Sequence, residues 1–94
     1  MKRADILDTA KTYITADRAQ THGKAEDSFK AIAASWDVWL SIRKPGPLNA
    51  FDVACMMTLF KLARMAGNPG HIDSAIDAAG YAALAGEIAT DVAQ

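Results

Sequence analysis

A chain of 94 residues, 51% hydrophobic and 22% charged with a formal net charge of -1, fits one domain with a modest core. That balance excludes a disordered tail, a collagen-like repeat and a basic nucleic-acid-binding arm. The single cysteine, Cys55, excludes an intramolecular disulfide framework and a Cys-based zinc site. No run reaches the roughly 18–20 apolar residues of a membrane span. The start, Met1-Lys2-Arg3-Ala4-Asp5, lacks the apolar region of a signal peptide. The expectation is a single helical domain over residues 1–94, cytoplasmic, with neither membrane nor nucleic acid as a partner.

Twenty alanines against three prolines select helices, since alanine is the best helix former and the β-branched residues are too scattered for strands. The first helix is expected over Arg3–Ala19, where Ile6, Ala10, Tyr13, Ile14 and Asp17 recur at three- and four-residue spacing. Gly23 offers a left-handed stop. The second, Ala25–Ile42, carries the bulkiest stripe: Phe29, Ile32, Ala33, Trp36, Trp39 and Leu40. Arg43-Lys44-Pro45-Gly46-Pro47 then breaks the chain.

The third helix begins near Asn49, with Asp52 placed to complete a capping box. It is apolar from Val53 to Phe60 except for Thr58, so protein should surround it. Gly67-Asn68-Pro69-Gly70 ends it. The fourth helix starts near Ile72 or Asp73 and runs to the C-terminus. Its centre is crowded with small residues, and Gly80 and Gly86 predict close approach of another helix as compensation for their poor helix propensity. Short connections make neighbouring helices antiparallel. The fold class is therefore all-α, a four-helix antiparallel bundle. The surplus of apolar surface points to a homo-oligomer.

Two clusters are suited to phosphate. Arg18, His22 and Lys24 surround Gly23 just before a helix N-terminus, combining a fork donor, a point charge and a helix end. The bland alternative is a solvated turn. Lys61 and Arg64 close the third helix, while Asp73, Asp77 and Tyr81 form one row on the fourth. An antiparallel hairpin sets Arg64 opposite Asp73 and Lys61 opposite Asp77. These are either interhelical ion pairs, favoured by the helix dipoles, or one wall of an anion pocket. His71 sits where a helix-capping histidine would. Cys55 lies in an apolar helix, where a thiol is an inert core residue. No cofactor is expected. Magnesium enters only through a sparse set of Glu26, Asp73 and Asp77, in a chain with just two glutamates.

The order Asp17-Arg18, His22-Gly23, Phe29, Ile32-Ala33, Trp36, then Asp52-Val53-Ala54, Met56-Met57, Leu59, Lys61, Ala63-Arg64, then Asp73 and Asp77-Ala78-Ala79-Gly80-Tyr81-Ala82 resembles a family of small phage and prophage proteins. These proteins carry a domain of unknown function. The match spans nearly the whole chain, and Lys-x-Ala-Arg and Asp-x-x-x-Asp-Ala-Ala-Gly-Tyr are its most specific parts. The resemblance implies a phage source, hence the host-cell cytoplasm, without supplying an activity. The chain is more remotely similar to the all-α, MazG-like nucleoside triphosphate pyrophosphohydrolases. Their Glu-x-x-Glu and Glu-x-x-Asp motifs are both missing here, so their catalytic residues do not carry over.

Three functions compete. The first is non-catalytic capture of a nucleotide or cyclic nucleotide at a subunit-boundary pocket by Arg18, His22, Lys24, Lys61, Arg64, Asp73, Asp77 and Tyr81, serving to remove a host-defence signal. The second is a Mg²⁺-dependent nucleotide pyrophosphohydrolase. The third is an interaction module whose Trp36/Trp39 face docks a host factor.

Overall fold

The structure, a computed structural model, describes residues 1–17 and 25–91. Four α-helices account for most of these residues: α1 (Arg3–Thr12), α2 (Ala25–Ile42), α3 (Ala50–Gly67) and α4 (Ile72–Thr90). No strand occurs among the described residues. The protein is all-α, as its alanine content requires.

The first helical stretch departs from the expected uninterrupted Arg3–Ala19. After Thr12 the backbone widens into a π-helical turn, Tyr13–Asp17. Two threonine hydroxyls bond back to the helix here. Thr12 Oγ1 donates to the Asp8 carbonyl at 3.3 Å and Thr15 Oγ1 to the Lys11 carbonyl at 2.6 Å. α1 buries none of its own residues, and Ile6 and Leu7 stay exposed.

α2 and α3 are antiparallel, held by two tryptophans that reach across. Trp36 Nε1 donates to the Met56 carbonyl at 2.8 Å, and Trp39 Nε1 donates to Asp52 Oδ1 at 3.0 Å. The Trp39 ring also packs 5.8 Å from Phe51. The tryptophans are thus half-buried and engaged within the chain, which leaves Phe29, not Trp36 or Trp39, as the exposed aromatic of the α2 stripe. Ile32 is buried beneath them.

α3 is the central element, packing on α2 and most extensively on α4. Its start is the expected capping box. The Asn49 side chain accepts from the Asp52 N–H at 2.9 Å, and Asp52 Oδ2 accepts from the Asn49 N–H at 3.0 Å. Such a cap satisfies two backbone donors that a helix start otherwise leaves unbonded. Thr58, the polar interruption of the apolar run, donates to the Ala54 carbonyl at 2.8 Å, so its hydroxyl is satisfied without leaving the helix. α4 begins at Ile72 with His71 at the N-cap position, though the histidine side chain makes no capping bond.

The buried set is small: Ile32, Ala54, Ala78 and Ala85 among hydrophobic residues, with Asp52 and Ser74. The expected close approach at Gly80 and Gly86 is not found among the described residues. A Cβ added at either position would meet nothing within 4 Å.

Candidate functional site

The antiparallel register of α3 and α4 brings the last turns of one beside the first turns of the other. Lys61 Nζ lies 3.0 Å from Asp77 Oδ2, with the lysine side chain 16% and the aspartate 46% exposed. Removal from water strengthens the attraction relative to a fully solvated pair. One turn further along α3, the Arg64 guanidinium stacks 4.5 Å from the centre of the Phe60 ring, a cation–π contact. The Arg64 Nε is shielded from solvent.

Asp73, Asp77 and Tyr81 form one row on α4, as their four-residue spacing requires. They do not behave alike. Asp77 and Tyr81, with Ile76, Gly80 and Leu84, line an open depression of about 480 Å³. Asp73 is exposed, and its Oδ2 lies 3.9 Å from Nε2 of His71, two residues back at the N-cap. Of the two expected cross-helix pairs, the structure therefore makes Lys61–Asp77, while Asp73 turns toward His71. Arg18, His22 and Lys24 lie outside the described residues. Among the described residues, no three His, Cys, Asp or Glu side chains are grouped as a metal would need, and Glu26 is exposed at the start of α2.

Sequence reasoning passed over Arg43. Its Nε donates to Asp52 Oδ1 at 2.7 Å, Nη1 to the Gly46 carbonyl at 2.9 Å and Nη2 to the Pro47 carbonyl at 3.0 Å. One guanidinium thus ties the end of α2, the Pro-Gly-Pro turn and the start of α3 together. Burial alone pushes the Asp52 pKa up. Hydrogen bonds from Arg43, the Asn49 backbone and Trp39, with the Arg43 charge, more than offset this and hold the carboxyl below its ordinary 3.8. The sequence signal was available: an arginine directly after α2, a glycine-bearing turn, and an aspartate committed to a cap. Cys55 is half-buried in a groove between α2, α3 and α4. Burial, then the Asp52 charge, push its thiol pKa up from 9.0, which disfavours the reactive thiolate.

α2 and α4 packed on a capped central α3, with Lys61 and Asp77 meeting between α3 and α4, make a small all-helical domain. The chain belongs to the family described as a domain of unknown function, DUF6378, whose model matches residues 5–89. It is 38% identical over 79 residues to the Gene 55 protein of Mycobacterium phage L5, covering 84% of this chain and 49% of that protein. The Gene 55 protein of Mycobacterium phage D29 is 36% identical over 77 residues, covering 82% of this chain and 48% of the relative. The chain thus spans about half the length of the curated relatives it matches. No solved structure matches it. No helix among the described residues is long and apolar enough to cross a membrane.

Proposed function

We propose that the protein captures a phosphorylated small molecule, a nucleotide or cyclic nucleotide, at the α3–α4 edge, and that binding without turnover is its task. The observation that carries this reading is the Lys61–Asp77 pair at the rim of the depression that Asp77 and Tyr81 line, with Arg64 one turn along α3. A phosphate approaching Lys61 competes with Asp77 for the ammonium, and Asp77 is exposed enough to turn to water. The Arg64 guanidinium, stacked on Phe60, adds positive charge to this edge. The Tyr81 ring offers a face for a base, and Arg18, His22 and Lys24 would add cations. In a phage setting, such capture removes a nucleotide signal from the host.

The test incubates the protein with a panel of linear and cyclic nucleotides, with and without Mg²⁺, then separates it by gel filtration and identifies bound and free molecules by mass spectrometry. An intact nucleotide should co-elute. Lys61→Met should abolish co-elution with the helical circular dichroism unchanged, and Asp77→Asn should tighten binding by removing a like charge from the phosphate site. A shortened nucleotide appearing only with Mg²⁺ would replace this reading with the pyrophosphohydrolase, using Glu26, Asp73 and Asp77.

A second reading, an interaction module, is favoured by the apolar side chains left exposed along α2, Phe29, Val38 and Ile42 among them. It takes precedence if no nucleotide binds.

A further inference from the structure

Two cations stand in the last turns of α3, and they share one aromatic ring. Lys61 Nζ is 5.3 Å from the centre of the Phe60 ring, and Arg64 Cζ is 4.5 Å from it. Both distances fall inside the roughly 6 Å over which a ring face attracts a cation. The two charges therefore sit within about 10 Å of one another, a Debye length at ordinary salt, where like charges repel. Lysine and arginine are also among the side chains with most rotamer freedom to lose, and their charged heads normally reach for water. Here the Lys61 side chain is only 16% exposed, and Arg64 Nε is shielded from solvent.

The ring accounts for this arrangement. Asp77 holds Lys61 from the α4 side at 3.0 Å, yet Asp77 is the group that an incoming phosphate must displace. Its departure leaves Lys61 with Phe60. Arg64 lies four residues after Phe60 on the same helix, the spacing at which side chains meet. The half-buried ring also walls an apolar groove of about 280 Å³ with Phe29, Ile32, Ala33 and Trp36, so α2 flanks it.

We propose that Phe60 is the positioning residue of this edge: its ring holds the Lys61 ammonium and the Arg64 guanidinium in place before any anion arrives. An anion site built from loose side chains loses their freedom on binding, and a site already ordered does not. The proposal rests on the phosphate reading for what the edge binds, and on the ring contacts alone for how the edge is built.

The test keeps the shape of the ring and changes its charge distribution. Phenylalanine bearing one, two or three ring fluorines in place of Phe60 fills nearly the same space, while each fluorine drains the negative face that attracts a cation. Phe60→Leu removes the face altogether. In the ligand-free chain, ring current should shift the side-chain proton signals of Lys61 and Arg64 upfield. Each fluorine should take away part of that shift and Phe60→Leu all of it, with circular dichroism showing the helices kept. Titration with inorganic phosphate, followed on the same signals, should give an affinity that falls stepwise with fluorine and about ten-fold in Phe60→Leu. A role in packing alone would leave the fluorinated chains equal to wild type. Lys61 and Arg64 signals that Phe60→Leu does not move overturn the proposal, and so does a phosphate affinity indifferent to fluorine. If the wild type binds no phosphate, the phosphate reading falls, and the ligand-free shifts still decide whether Phe60 holds the two cations.

Discussion

Replacing Arg43 with methionine keeps most of the side-chain volume and removes the guanidinium that joins α2, the turn and α3. The side chain is 13% exposed, so the pair it forms is not a solvent-screened surface contact. Three donors are lost together, to Asp52 Oδ1 and to the Gly46 and Pro47 carbonyls. Losing a charged hydrogen bond of this kind costs about 1.5–3 kcal/mol. A domain of this size has a total of only about 5–14 kcal/mol. At about 4–8 °C per kcal/mol, Arg43→Met should lower the melting temperature by at least about 6 °C. The assay is thermal unfolding followed by circular dichroism, run at neutral pH and again at acid pH. Asp52 has a folded pKa held below its ordinary 3.8, so its contribution is present above that value and is lost as pH falls through the folded pKa. The variant lacks most of that contribution to begin with, so the gap between the two proteins should narrow in acid. A loss below about 1 kcal/mol, the worth of an exposed pair, or a gap that does not change with pH, would refute the reasoning. Arg43→Lys should fall between the two, since it keeps the charge without the fork.

Other consequences are simpler to check. Gly46 has φ of 135°, so Gly46→Ala should cost about 1–3 kcal/mol in denaturant unfolding through backbone strain alone. Trp36→Phe deletes the indole donor to the Met56 carbonyl and should lower stability by about 1–2 kcal/mol. Asp77→Asn breaks a half-exposed pair and should change stability by less than about 1 kcal/mol, whatever it does to ligand binding. Cys55 should react with a thiol reagent more slowly in the native chain than after denaturation, because burial holds its pKa up.

Local rules wrote much of this fold legibly. The Asn49–Asp52 cap, the stop at Gly67 and the start of α4 at Ile72 are matters of a few neighbouring residues, and all stand where spacing put them. Lys61–Asp77 was legible for a different reason: a short loop fixes the register of an antiparallel hairpin, and register fixes which side chains meet. The π-helical turn was hidden because one widened turn leaves almost no mark on side-chain periodicity. Arg43 was hidden because its reach depends on the backbone of the Gly46 turn, which has no periodicity to read. At Gly80 the close approach expected from the sequence is not met among the described residues, where a Cβ would touch nothing within 4 Å.

The lack of any buried residue in α1 has a thermodynamic consequence. A ten-residue helix is shorter than the roughly 12–15 residues needed for marginal stability in water. Its amide hydrogens should therefore exchange with solvent through local opening at little free-energy cost, while amides at the centre of α3 wait for global unfolding. Ile6 and Leu7 can then be replaced by polar residues with almost no change in the melting of the α2–α4 unit. What α1 contributes to the protein and how stable the protein is are separately adjustable, and selection can act on one without moving the other.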